Sequence, residues 1–319
     1  MALEEFRGWK VVALAGGVGG AKMAHGLAQI LPAENLTVVV NVADDFELYG
    51  LTICPDLDTV MYTLAGIASP RTGWGIEGDT FQCVEMLARF GAPAWFRLGD
   101  RDLATHMART RWLWDGATLT EVTRRLCASL SVAQKILPCT DDLLRTIVET
   151  AEGDLEFQDY FVRRRCEPAV RGFYLRGLQS AFPTREFLTA LDGADAIILC
   201  PSNPFVSLGP ILALPGVREK VAAKPSAAVT PIIGGQAVKG PLAKMLRELG
   251  RDSSAVEAAR EYRGVARGFL LDRQDSSLAP EIEALGLHIG IANTLMTNDE
   301  ERKRMALEVL EFIRTDRPG

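Results

Sequence analysis

The chain has 319 residues, 41 Asp and Glu against 35 Lys and Arg, a formal net charge of −6, and a composition that is 48% hydrophobic and 24% charged. That length accommodates one large or two fused domains around a sizeable core, and the composition excludes a disordered or fibrous chain. The acidic balance argues against non-specific binding to nucleic acid, and no apolar run reaches the length of a membrane span.

The mixed, charged stretch Met1 to Lys10 does not read as a signal peptide, so a cytoplasmic location is expected, with no nucleic-acid or membrane partner. A small apolar run from Val11 to Ala15 follows, broken by Gly16-Gly17-Val18-Gly19-Gly20, and then an amphipathic stretch from Ala21 to Leu31. With the β-branched run Leu36 to Val42 this makes a βαβ unit, the start of a parallel sheet with helices on its faces. Thr59 to Ala65 reads as a short helix that Asp58 can cap. Leu119 to Leu137 and Asp141 to Glu149 carry helical patterns, followed by the charged run Glu156 to Arg165 and a short apolar piece, Gly172 to Leu175. Later strands are expected at Ala196 to Cys200, Ala227 to Ile233, Gly268 to Leu271 and His288 to Ile291, and a closing helix at Asn298 to Arg314. The expected class is α/β, a Rossmann-like parallel sheet with helices on both faces and an inserted smaller α+β or helical subdomain. Residues 1–112 and 194–319 would form the nucleotide-binding core. Residues 113–193 would form the insertion, on the acceptor side or at a dimer contact.

The six cysteines include no C-x-x-C pair, which predicts reduced, mostly buried thiols and no structural zinc. At the glycine loop a strand ends and a helix begins, so backbone N–H groups and the helix dipole converge on a spot suited to phosphate. The loop is neither a P-loop nor G-x-G-x-x-G, because Lys22 stands where the third glycine belongs. Asp44, Asp45, Asp56 and Asp58 follow the second strand, and hard oxygen ligands beside a phosphate suit Mg²⁺; a solvated Asp45 is the plainer alternative. Asp44 also lies about twenty residues beyond the glycines, where an acid can bond a dinucleotide's ribose. The paired acids and the missing glycine favour phosphate chemistry with a metal. Two later strand-end loops supply Ser202, Asn203 and Ser207, and Lys239. Asp100, Arg101, Asp102 and His106 mark either a helix start or a substrate contact. Trp74, Trp95, Trp112 and Trp114 could stack a flat substrate or pack a core.

Together these segments resemble the 2-phospho-L-lactate transferases (CofD-like) of deazaflavin coenzyme F420 biosynthesis. The matching stretches are GGVGGAK at Gly16 to Lys22, NVADDFELYG at Asn41 to Gly50, CPDLDTVMYTLAG at Cys54 to Gly66, LGDRDLATH at Leu98 to His106, PSNPFVSLGPIL at Pro201 to Leu212 and TPIIGG at Thr230 to Gly235. Ala43 stands where a glycine is expected and Tyr49 where a histidine is expected. The resemblance implies transfer of a phospho-lactyl, phosphoenolpyruvyl or phosphoglyceryl group from a guanosine diphosphate-linked donor to the ribityl hydroxyl of the deazaflavin FO, with release of GMP. It implies Asp44 and Asp56 as Mg²⁺ ligands, with Asp45 as a further ligand and a base. Gly16, Gly17, Gly19, Gly20 and Lys22 would cradle phosphate, and Ser202, Asn203, Ser207 and Lys239 would bind the rest of the nucleotide. Asp58, Thr59 and Asp102 would contact FO, and the protein would be a homodimer. A related branch of the superfamily, a nucleotide-sugar-binding regulator without transferase activity, is the alternative.

Overall fold

The computed structural model describes residues 2–316. Seven strands, β1 (Val11–Ala15), β2 (Leu36–Val40), β3 (Lys135–Pro138), β4 (Ala196–Leu199), β5 (Ser226–Val229), β6 (Gly268–Asp272) and β7 (His288–Ala292), form one sheet. Every pairing in it is parallel, in the order β3, β2, β1, β4, β5, β6, β7. The inner strands β1, β4, β5 and β6 are buried along their whole length, which is why they read as unbroken apolar runs rather than alternating ones.

Chain order reverses between β1 and β4, which share the register Val11 to Ala196. The carboxyl ends of these two strands therefore send their loops to opposite sides and open a crevice, the position where doubly wound sheets bind ligands. Helix α1 (Gly17–Ala28) rises from β1 and packs against α2 (Pro55–Leu64) and the long closing helix Asp299–Thr315. Gly26 makes that second packing possible, since a Cβ there would lie 2.1 Å from the carbonyl oxygen of Arg302. The closing helix starts as expected, with the Asn298 side chain accepting from the backbone N–H of Glu301 at 2.9 Å.

The middle of the chain departs from expectation. The helix within Leu119–Leu137 ends at Ser129, and Lys135–Pro138 is strand β3, paired parallel with β2. Burial of Ile136 and Leu137 at the sheet overrides the local helical pattern. Asp141 to Glu149 is also not helical, because Arg145–Thr150 is the central strand of an antiparallel sheet with Gly153–Glu156 and Val170–Arg176. Strand β3, which falls within residues 113–193, is thus part of the main sheet. Ala227–Ile233 also divides, β5 ending at Val229 while Ile232–Ile233 pairs with Gln236–Ala237. Cys54, Cys127, Cys139 and Cys200 are buried free thiols. No described helix is long and apolar enough to cross a membrane.

Candidate active site

A cleft of about 580 Å³ opens at the β1/β4 reversal. Its floor is the start of α1, with Gly16 extended at the N-cap. Ser202 latches this loop to the loop after β4: the Gly16 N–H donates to Ser202 Oγ at 3.2 Å, and that hydroxyl donates to the Gly16 carbonyl at 2.7 Å. Asn203 shapes the same loop by accepting from the backbone N–H groups of Phe205 and Val206.

One wall is acidic. Asn41, at the end of β2, donates to Asp56 Oδ2 at 3.1 Å and to the Val206 carbonyl at 3.2 Å, tying the acids to the β4 loop. Asp44 and Asp56 line the cleft, and both are buried. Burial pushes Asp56 up to about 6, against bonds from Asn41 and the Gly17 N–H. Burial, and then the charges of Asp56 and Asp45, hold Asp44 well above the ordinary carboxylate range. Asp44 Oδ1 is buried without a hydrogen bond. Two buried acids that repel each other, one with an unpaired oxygen, fit a hard divalent cation whose remaining ligands come from phosphate and water.

Asp45 does not join them. It is buried, is not among the residues lining the cleft, and is pushed up to about 7 by burial, opposed by the charge of Arg145. The expected set of Asp44, Asp45 and Asp56 does not close into one ligand cluster. Among the described residues, the trio whose potential ligand atoms all lie within 4.8 Å is Asp58, Asp102 and His106. There Arg109 bonds both oxygens of Asp58, so that trio is an ion-paired network. Asp58 is accordingly not a helix cap: α2 begins at Pro55 and holds Asp58 inside its first turn.

Two lysines line the same cleft. Lys22 Nζ donates to the Met296 carbonyl at 2.7 Å, and Lys239 Nζ donates to the Thr72 carbonyl. Both ammonium groups bond carbonyls rather than carboxylates. Burial, then the charges of Arg302 and Lys239, lowers the Lys22 pKa, and burial lowers that of Lys239. Trp74, Trp95, Phe96, Phe157 and Phe161 add an apolar wall. Trp112 and Trp114 do not line the cleft, and Trp114 is exposed.

Of the residues expected at the site, Gly16, Gly17, Gly19, Lys22, Asp44, Asp56, Asp58, Thr59, Asp102, Ser202, Asn203, Ser207 and Lys239 line this one cleft. Gly20 lies behind it, against Ala15 and Ser202. Asn41, Tyr62 and Arg109 were not anticipated. The spacing Asp102, His106, Arg109 on the helix Asp100–Trp114, i, i+4 and i+7, is the signal that could have found the last of them.

The sequence model of 2-phospho-L-lactate transferase CofD matches residues 11–312. A phosphoenolpyruvate transferase of Streptomyces griseus is 42% identical over 312 residues, covering 95% of this chain and 98% of its own. A 2-phospho-L-lactate transferase of Methanosarcina mazei is 40% identical over 301 residues, covering 94% and 99%. Among solved structures, a Bacillus halodurans protein superposes with a TM-score of 0.65 at 16% identity, covering 95% of this chain and 99% of its own, a likeness of fold. The parallel sheet, its switch-point cleft and these matches together make the chain a member of the 2-phospho-L-lactate transferase CofD family.

Proposed function

We propose that this chain transfers a phospho-lactyl, phosphoenolpyruvyl or phosphoglyceryl group from a guanosine diphosphate-linked donor to the ribityl hydroxyl of FO, forming a phosphodiester and releasing GMP. The observation that carries this reading is the meeting in one cleft of the α1 N-terminus, the Asp44 and Asp56 pair, two lysines whose ammonium groups bond backbone carbonyls, and an aromatic wall. The transferase activities of the Streptomyces and Methanosarcina relatives support it.

In this reading the first N–H groups of α1, with Lys22 and Lys239, hold the diphosphate, and Ser202, Asn203 and Ser207 bind the rest of the nucleotide. Asp44 and Asp56 would hold Mg²⁺, which when bound neutralises charge on the diphosphate. The acceptor hydroxyl attacks the distal phosphorus. A new P–O bond forms, the bond to the bridging oxygen breaks, and GMP leaves with that electron pair while the hydroxyl proton passes to a carboxylate of the cleft. Such a transfer depends on alignment and charge balance more than on a strong nucleophile. The named relatives carry different acids at nearly equal identity to this chain, so the assay must offer each donor.

The test is incubation with FO, Mg²⁺ and the lactyl, enolpyruvyl and phosphoglyceryl guanosine diphosphate donors in turn, read by mass spectrometry. A mass gain on FO with matching GMP release is expected. Absence of product with every donor, while nucleotide still binds, would overturn the reading in favour of a nucleotide-sugar-binding regulator.

A further inference from the structure

We infer that Arg109, which does not itself line the cleft, is the positioning residue of its acceptor end: by clamping Asp58 and His106 it leaves Asp102 and His106 as a paired acceptor and donor for a hydroxyl of the acceptor's polyol chain. The inference rests on the reading of the cleft proposed above.

Arg109 is 1% exposed, the largest fully buried side chain among the described residues. Its guanidinium bonds both oxygens of Asp58, with Nη1 to Oδ2 at 3.0 Å, and Nη1 also lies 3.1 Å from His106 Nδ1. A guanidinium has N–H donors and no acceptor, and although the two hydrogens of Nη1 also serve Asp58 Oδ2 and, at 3.4 Å, the Thr52 carbonyl, a bond to His106 makes Nδ1 the acceptor and puts the imidazole proton on Nε2. That Nε2 is 3.3 Å from Asp102 Oδ1 but is not aligned for a hydrogen bond. Asp102 Oδ1 already accepts from the Tyr62 hydroxyl at 2.7 Å. Oδ2 of Asp102 accepts no bond from the described residues, and Asp102, His106 and Tyr62 all border the cleft. In that tautomer a carboxylate oxygen of Asp102 and a buried N–H of His106, each without a hydrogen-bond partner among the described residues, belong to two residues that border the same cleft.

A hydroxyl donates and accepts at once, so it satisfies both groups; a ring carbon or methyl satisfies neither. The apolar wall of Trp95 and Phe96 belongs to the same cleft, so a flat ring carrying a hydroxylated chain suits this end. Removing Arg109 would leave the Asp58 charge buried and unpaired, and His106 free to take either tautomer, so the pair facing the hydroxyl would lose its register.

The test reads FO and GDP binding separately, with the His106 tautomer as a signature that a merely structural role would not move. In the wild-type protein, imidazole ¹⁵N NMR assigned with His106→Gln should show the neutral Nε2–H form. Arg109→Met should weaken FO binding about tenfold or more, leave GDP binding unchanged and release His106 from a single tautomer. A deazaflavin methylated in place of the ribityl chain should bind wild type and variant alike. Should Arg109→Met not fold, Arg109→Lys, which keeps the charge but loses the planar fork, should show the same split. A wild-type His106 protonated on Nδ1 would overturn the inference. So would variants that bind FO normally, lose FO and GDP together, or lose the methylated ring as well. Wild-type protein that binds GDP but not FO overturns the proposed function itself, a failure visible before any variant is made.

Discussion

Gly19 of the glycine loop faces the carbonyl of Pro201 so closely that a Cβ built on it would lie 2.1 Å from that oxygen. The loops after β1 and β4 thus meet backbone against side-chain-free backbone, and this contact closes the base of the cleft.

Gly19→Ala should therefore act against the usual rule. Alanine in a helix is ordinarily favoured over glycine by about 1 kcal/mol, but here the obstacle is a backbone carbonyl that no rotamer change can move aside. A loss of about 1–3 kcal/mol in denaturant unfolding is expected, with weaker nucleotide binding. A variant as stable as the wild type would show that the two loops part freely.

The buried acids set the sign of a pH dependence. Asp56 is raised to about 6, Asp45 to about 7, and Asp44 well above the ordinary carboxylate range. With native pKa values above the unfolded ones, the native state binds more protons between them. Their stabilising contribution is complete below the unfolded pKa of about 3.9 and is lost as pH rises through the native values. Without divalent cations the Tm should fall between about pH 5 and 7.5, and Mg²⁺ should reverse the fall. Asp102 works outside this window: burial would raise it, but His106, Tyr62 and Arg109 hold it below its ordinary value, so its contribution is lost only as pH falls. A Tm that rose through neutrality in the absence of cations would contradict the prediction.

Asp44→Asn separates stability from activity. Removing a buried carboxyl group whose charged form burial and Asp56 disfavour should stabilise the cation-free protein by about 1–2 kcal/mol at pH 7.5, abolish the stabilisation by Mg²⁺, and lower kcat about a hundredfold or more. Full activity of this variant across Mg²⁺ concentrations would remove Asp44 from the proposed metal site.

Lys22 and Lys239 should report on the donor alone. Since both ammonium groups bond carbonyls in the free protein, each is available to exchange that partner for phosphate. Lys22→Met and Lys239→Met should each raise the donor KM about tenfold, with little change in the KM for FO or in Tm. Equal losses toward donor and acceptor would place the lysines elsewhere in the reaction.

Thr118→Ala serves as the control for stability without function. Thr118 Oγ1 accepts from the Glu121 N–H at 3.2 Å, the Glu121 carboxylate accepts from the Thr118 N–H at 3.1 Å, and neither residue lines the cleft. A cost of about 1 kcal/mol in unfolding with unchanged turnover is expected. A change in KM would mean that the helix Leu119–Ser129 communicates with the site.

Much of this protein is written locally. Val11–Ala15 followed by four glycines in five positions announces a buried strand and a helix start, because both depend on neighbours within a few residues. The place of Asp44 at the edge of the cleft is legible for the same reason, since it lies just beyond β2. Lys135–Pro138 was not legible: its helical pattern is local, whereas its strand conformation comes from pairing with β2, about a hundred residues away in the chain. Nor was the division of labour among the acids. Asp44 and Asp45 are adjacent in sequence, yet one borders the cleft and the other turns toward Arg145, a separation that depends on where the inserted sheet begins. Asp58, Arg109 and His106 carry the same lesson. Sequence establishes which charged groups exist and on which elements they ride. Only tertiary packing decides which of them are desolvated together, and that desolvation makes Arg109 a clamp rather than one more surface cation.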